Sequence, residues 1–356
     1  MKSSLDMEKP VEITEDIYWV GSSEEALLRR NIYLRVFKGR NRQYALIIDP
    51  GPPADLSMLS RKIKDIIGSL KHIHLIFINH QDPDVAFNAI AIQKLNPKVK
   101  TMMTEDTWRL VQFFGLDKSR FLAVEKFRDM KATIKSGQIL QFIPTPFCHF
   151  RGACMYYDVE SRILFSGDLF GGISTASLFG KASHWEGVKA FHQLYMPSNA
   201  ALRYAVSQIR NLSPPPRMIA PQHGAIISRD VMNLFIDRME NLRVGMDLIQ
   251  EIGSKQKLII AAANNFISEA EKLLGTARIR EIIALSQSDG SYPSLFTLGS
   301  GNVIRDIKYD PMEALDAFVK VIFSMCTKDE CNELEKVFQQ VLLKKELPLV
   351  EALKNQ

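Results

Sequence analysis

His74-Leu75-Ile76-Phe77-Ile78-Asn79-His80-Gln81-Asp82-Pro83-Asp84 is the stretch on which the reading of the chain turns. It begins as an unbroken apolar run, the pattern of a strand buried on both faces, and the polar string His80 to Asp84 follows at its carboxyl end. Open sheets of α/β proteins place their ligand sites at that end of their strands. His80, Asp82 and Asp84 are metal-capable side chains at alternating positions, and Pro83 stiffens the turn between them. Three other segments end alike: His149 follows QFIPTPFC, Asp168 follows RILFSG, and His223 follows RMIAPQ. A lone histidine at a strand end is ordinarily a surface or hydrogen-bonded residue, and His72, His74, His184 and His192 are read that way. The six matched positions are read together, as a metal site.

Outward from this stretch the chain alternates strands and helices. DIYWVG, NIYLRVF and YALIIDPG precede it as strands, and DLSMLSRKIKDIIGSL, residues 55–70, has apolar positions at helical spacing. A helix from Val85 to Leu95, a strand VKTMMT and a helix from about Glu105 follow. FLAVEKF, QILQFIPT, ACMYYDV, RILFSGDLFG and PPPRMIAPQHG read as further strands. Two sheets with helices outside make an α/β protein of the αββα sandwich type. Arg229 to Ile252 continues as one long helical pattern, and Gly253-Ser254 is read as the boundary. The chain is therefore divided into residues 1–252 and a mainly helical module, residues 253–356. Within the module, residues 255–275, 311–326 and 328–354 read as amphipathic helices, around a Gly/Ser/Tyr/Pro-rich stretch from Ser286 to Asn302.

Composition narrows the function classes. With 356 residues, 46% of them hydrophobic, 24% charged, and 19 Gly and 16 Pro, the chain is neither disordered nor collagenous. Four cysteines, at 148, 154, 326 and 331, are too few and too irregular for a secreted disulfide framework. No run approaches the roughly 18 apolar residues that cross a bilayer. The first residues, MKSSLDMEKPVEI, lack the apolar core of a signal peptide. The expectation is a cytoplasmic protein with no membrane partner. The net charge of +5 is uneven, with −1 over residues 253–356 and +6 over the rest. Arg29 to Arg42 holds six basic residues and no acid, and is read as the solvated face of a strand pair. No aromatic side chains interleave it as base-stacking platforms, so no nucleic acid is expected. Cys148 is read as core. Cys326 and Cys331, without histidines nearby, are not read as a zinc site.

The ordered set His80-x-Asp82-x-Asp84, His149, Asp168 and His223 resembles the metallo-β-lactamase superfamily, over residues 10–250. Hydrolases of that superfamily carry His-x-His-x-Asp-His followed by His, Asp and His. Here Asp82 stands at the second position and Val85 at the last. A carboxylate at the second position is similar to the flavodiiron proteins, and most similar to oxygen-binding diiron proteins that lack the flavodoxin domain. The resemblance implies an αββα metallo-β-lactamase fold and two iron ions. His80, Asp82 and His149 would hold one iron, Asp84 and His223 the other, and Asp168 would bridge them. Three histidines and three aspartates form a nitrogen/oxygen donor set that suits iron or manganese better than an all-histidine set does. Paired metals in such sites lie about 3.5–4 Å apart, a span a diatomic molecule can bridge. Val85 cannot ligate and would leave a position open on the second iron. Tyr195 lies where the family places aromatic residues over the pocket, so its hydroxyl is a candidate to hydrogen-bond a bound ligand.

Flavodiiron reductases receive electrons from FMN in a following flavodoxin domain. Residues 253–356 show no phosphate-binding loop after a strand; Gly299-Ser300-Gly301-Asn302 comes nearest and is read as lacking that strand. No FMN is therefore expected in this chain. The first expectation is a diiron protein that binds dioxygen as a sensor or carrier, with the helical module relaying a signal or forming a homodimer. The alternative is an oxygen or nitric oxide reductase fed by an external redox partner. A metallohydrolase such as a phosphodiesterase comes third, and an interaction protein that merely kept the fold comes fourth.

Overall fold

The computed structural model describes residues 6–23, 26–40, 42–173, 177–288, 296–307, 310–348 and 350. Strands β1 (Val11–Thr14), β2 (Ile17–Trp19), β3 (Tyr33–Lys38), β4 (Gln43–Ile48), β5 (Leu75–Phe77), β6 (Lys100–Met103) and β7 (Phe121–Ala123) pair in that order as a seven-stranded sheet. A six-stranded sheet holds β8 (Lys131–Thr133), β9 (Ile139–Pro144), β10 (Cys154–Asp158), β11 (Ile163–Gly167), β12 (Met218–Pro221) and β13 (Ile227–Ser228), from β13 at one edge to β8 at the other. Helices α1 (Leu56–Ile67), α2 (Pro83–Ala86), α3 (Ala89–Leu95) and α4 (Glu105–Val111) belong to the first half. α5 (Trp185–Tyr195), α6 (Asn199–Arg210) and α7 (Arg229–Glu240) belong to the second.

The period of two along each strand builds the layers. On β4, Leu46 and Ile48 meet Tyr156 and Phe165 of the other sheet in one buried cluster. Ala45 and Ile47, between them in sequence, face the opposite way and pack with Leu59 and Ile63 of α1. On β10, Cys154 and Tyr156 point inward while Met155 and Tyr157 pack with Leu202, Val206 and Phe235 of α6 and α7. The result is the αββα sandwich of the metallo-β-lactamase type. β4, β5, β6 and β7 run parallel, as do β11 and β12. β9 is antiparallel to β10, which is antiparallel to β11, so β9, β11 and β12 all end on the same side of their sheet. The segments carrying His149, Asp168 and His223 leave from those ends.

The chain divides into two units, Met1–Asp247 and Leu248–Gln356. The second contains α8 (Met246–Leu274) from its third residue onward, α9 (Thr276–Ser288), β14 (Phe296–Leu298), β15 (Ile304–Ile307), α10 (Pro311–Ser324) and α11 (Lys328–Lys344). It has its own apolar core, in which Phe266, Ile282, Leu315, Val319, Leu334 and Phe338 are buried. Asp310 caps α10 by accepting from the amides of Met312 and Glu313, and Pro311 supplies the first helical residue. Among the described residues no helix is long and apolar enough to cross a membrane.

Several sequence expectations are corrected. The pattern from Arg229 to Ile252 is two helices, because Gly245 takes φ +47° and breaks the run after α7. Gly253 breaks nothing: it lies within α8, where an added Cβ would meet no atom of the described residues within 4 Å. The expected helix from Val85 to Leu95 is interrupted at Asn88, whose side chain donates to the carbonyls of Pro50 and Pro52. The last helix ends at Lys344 rather than 354, and residues 351–354 lie outside the described residues. So do residues 289–295 of the Gly/Ser/Tyr/Pro-rich stretch. A strand does precede Gly299: β14 pairs antiparallel with β15, so the glycine turn joins two strands of a hairpin through a single 3-10 turn at Ser300–Asn302. Nor is Arg29 to Arg42 a solvated face. Arg29 and Arg35 are 3% and 5% exposed. Arg35 pairs with Asp158 and Glu160, both at 2.6 Å, and Arg30 grips Asp55 through two nitrogens. Lys38, Arg40 and Arg42 alone of the six are exposed.

Candidate metal centre

Each candidate ligand is placed by the end of its strand. After β5 the chain runs through Ile78, Asn79 and His80 to Asp82, which stands just before α2, with Pro83 as that helix's first residue. Gly167 ends β11 with φ +60°, turning Asp168 into the centre. Gly224, at φ +79°, closes the turn after His223; a Cβ there would lie 2.8 Å from the amide nitrogen of Gly172.

The six residues meet. The ligand atoms of His80, His149 and Asp168 lie within 4.8 Å of one another. His149 Nε2 is 3.1 Å from Asp168 Oδ2 and 3.2 Å from Asp82 Oδ2, and His80 Nε2 is 3.6 Å from each of the same two oxygens. His223 Nε2 lies 3.3 Å from Asp84 Oδ2 and 3.9 Å from Asp168 Oδ1. Asp168 thus turns one oxygen to the His80/His149 group and the other to His223. Three of these buried atoms, His80 Nε2, His149 Nε2 and Asp168 Oδ1, have no hydrogen-bond partner of good geometry among the described residues. Buried imidazole nitrogens and carboxylate oxygens that converge on one another fit a metal. The outer nitrogens of two rings are occupied: His80 Nδ1 lies 2.9 Å from Asn79 Oδ1, and His223 Nδ1 lies 3.2 Å from the carbonyl of Arg29. Both acceptors fix the proton on Nδ1 and leave Nε2 to ligate.

The charges follow the same geometry. Burial raises the pKa of Asp168, but His80, His149 and His223 outweigh it and bring it down to about 2. Burial likewise opposes the low pKa of Asp82, which its two histidine partners impose. Burial works against a proton on His149, yet Asp168 and Asp82 outweigh it and raise that ring to about 10. Without a metal, the centre therefore holds protons where a cation would sit.

Sequence reading missed the residues that support these six. Gln222 donates to Asp84 Oδ2 at 3.3 Å, and Gln81 to Asp82 Oδ1 at 2.6 Å. Asp49, which burial pushes up to about 7, accepts the amide of Asn79 at 2.8 Å. His192 bonds the Val188 carbonyl through Nδ1 and accepts the Phe170 amide, which ties α5 to the loop after Asp168. Phe191 and Tyr195 on α5 cover the centre: the Phe191 ring lies 5.5 Å from His223, and the Tyr195 ring, 42% exposed, 6.2 Å from His149. Val85 is fully buried in the apolar layer between the first sheet and its helices. Cys148 is buried too, its thiol pushed up to about 12.

Comparison with known proteins agrees with this geometry. The family described as ODP family beta lactamase matches over residues 28–224. A solved structure of the peroxy diiron species of the chemotaxis sensor ODP is 31% identical, with a TM-score of 0.58, over 68% of this chain and 99% of its own. The apo state of chemotaxis sensor ODP from T. denticola is 30% identical, with the same TM-score of 0.58, over 68% of this chain and 97% of its own. The nitric oxide reductase of Moorella thermoacetica is 24% identical over 243 residues, which is 63% of this chain. This chain spans only 59% of that reductase's length.

Proposed function

We propose, from the premise that this chain belongs to the ODP family of beta lactamases, that it is a non-haem diiron protein binding dioxygen as a sensor or carrier. The observation that carries the reading is the stance of Asp168, buried, with one oxygen toward His80 and His149 and the other toward His223. His80, Asp82 and His149 would hold one iron, Asp84 and His223 the other, with Asp168 common to both. Two ferrous ions supply two electrons and open positions for a diatomic ligand. The chain's own residues bury the site, fix the tautomers of His80 and His223, and cover it with Phe191 and Tyr195. Tyr195, half-exposed beside His149, is the proposed hydrogen-bond donor to a bound ligand. The neighbouring chemotaxis sensor supports the sensor reading. The likeness to a nitric oxide reductase supports a second, in which the same site reduces oxygen or nitric oxide with electrons from an external donor. A cytoplasmic homodimer is part of the proposal.

Metal analysis of protein produced in iron-replete cells should give about two irons per chain. Asp168→Ala should lose both and His223→Ala mainly one. The reduced protein should change its optical spectrum once when air is admitted, and hold the change for seconds or longer. Continuous oxygen consumption with a generic flavoprotein reductase, at rates on the order of 1–10³ per second, would replace the sensor by the reductase. Protein that binds only zinc and hydrolyses a phosphodiester would overturn both.

A further inference from the structure

Asn79 is buried at the junction of the two sheets and uses every polar group it has. Its backbone N–H donates to Asp49 Oδ1 at 2.8 Å, and its carbonyl accepts from the Cys154 amide at 3.1 Å. Its side-chain Nδ2 donates to the carbonyl of the same Cys154, and its Oδ1 faces His80 Nδ1 at 2.9 Å. The orientation of the side-chain amide follows from its partners. A backbone carbonyl can only accept, so Nδ2 faces Cys154, Oδ1 faces the ring, and His80 must carry its proton on Nδ1. Behind the side chain stands Gly167, where an added Cβ would come 2.1 Å from the Asn79 side-chain carbon. Gly167 immediately precedes Asp168. One residue therefore touches the ring of His80, the strand β10 of the opposite sheet, and the turn that delivers Asp168.

We propose that Asn79 is a positioning residue that orients His80 and registers the ligands of the first sheet against those of the second. The inference rests on the diiron reading and assigns one residue's part in it. His80, Asp82 and Asp84 arrive from the end of β5; His149, Asp168 and His223 arrive from the other sheet. Asn79 bonds both sides, and only Gly at 167 leaves room for it. Outer hydrogen-bond partners of a ligating histidine hold its tautomer and ring angle, and losing one typically weakens metal binding by about 10–100-fold.

Asn79→Ala and Asn79→Asp separate positioning from mere cohesion. Both lose the bond to the Cys154 carbonyl, so both should lower the unfolding midpoint of the metal-free protein. Only Asn79→Ala loses the acceptor for His80. In competition against a chelator, with ferrous ion and with zinc as a diamagnetic probe, Asn79→Ala should bind about 10–100-fold more weakly and Asn79→Asp near the wild-type value. Gly167→Ala, which removes no hydrogen-bonding group, should weaken binding by displacing the Asn79 side chain. Wild-type affinity in Asn79→Ala, or an equal loss in Asn79→Asp, overturns the proposal. A wild-type chain that takes up no metal would sink the diiron reading instead. The positioning role is then decided by nitrogen-15 spectra of the metal-free protein. The His80 Nδ1 proton should be hydrogen-bonded and protected from exchange in wild type and Asn79→Asp and lose that protection in Asn79→Ala, and equal protection in all three overturns the role.

Discussion

His149 shows how single residues carry the tension of the site. It sits between two carboxylates, 3.1 Å from Asp168 and 3.2 Å from Asp82, and their pull lifts its pKa from the ordinary 6.5 to about 10 against the opposing effect of burial. In the metal-free chain that raised value stabilises the fold fully below the unfolded pKa near 6.5, and the contribution is lost as pH rises through about 10. Metal binding has the opposite dependence, because a ligating imidazole must give up its proton. Two opposite slopes are therefore expected. Chelator competition should show metal affinity rising by about tenfold per pH unit for one displaced proton between neutrality and the upper pKa. Denaturant unfolding of the metal-free chain should show stability falling over the same interval. A pH-independent affinity would mean that the metal displaces no proton from His149. At this scale the candidate ligands were legible in the sequence, because each closes an apolar run. Their supports were not, since Asn79 finds its partner at Cys154 and Asp84 finds Gln222, both far along the chain. Arg29 and Arg35 misled for the same reason: charge is visible in a sequence, but the carbonyls and carboxylates that bury it are not.

At the scale of elements, two glycines eight residues apart invert what their positions suggest. Gly253, which reads as a boundary, lies in helix α8 with open space where a Cβ would go. Gly245, with φ +47°, makes the actual break, and a Cβ there would lie 2.4 Å from the carbonyl oxygen of Pro197. A helix-interior glycine costs about 0.5–1 kcal/mol relative to alanine, so Gly253→Ala should raise the stability of the second unit by about that much. The left-handed conformation costs an L-residue roughly 1–2 kcal/mol, and the Pro197 contact adds to it, so Gly245→Ala should destabilise the first unit by at least that amount. Denaturant midpoints of the two variants, moving in opposite directions, check both. Had Gly253→Ala destabilised the chain, the glycine would be serving a turn after all. The strands of the sandwich core were readable because alternation on β4 and β10 sorts inward from outward side chains without knowledge of partners. Helices α5 and α6 went unread although Trp185, Val188 and Phe191 stand at helical spacing, as do Leu202, Ala205 and Ile209. They matter because α5 is the element that covers the centre.

For the whole molecule, the division of the chain separates chemistry from whatever the second unit does. All six candidate ligands lie in Met1–Asp247, and Leu248–Gln356 has a core of its own. The last residues of the first unit are not a loose tether. Asp247 accepts the amides of Asn199 and Val244, at 2.6 and 3.1 Å, and Met246 donates to the Pro197 carbonyl at 2.8 Å. Asn199 in turn donates to the carbonyls of Glu240 and Leu242. These bonds fasten the start of α6 directly after the helix that bears Phe191 and Tyr195. A fragment ending at Asp247 should therefore fold and take up the same two irons as the full chain, with the same spectral response to air. A fragment ending at Glu240 should lose the fastening and, with it, the placement of α5 over the centre. Iron content and optical spectra of the two fragments test this; equal behaviour would show that the 241–247 segment holds nothing in place. Sedimentation of the same samples addresses the proposed homodimer. A full chain that is dimeric at micromolar concentration while the 1–247 fragment is monomeric would assign the interface to the second unit, where a signal relay would need it. A fragment that stays dimeric would assign it to the metal-binding unit, and a monomeric full chain would remove the homodimer altogether.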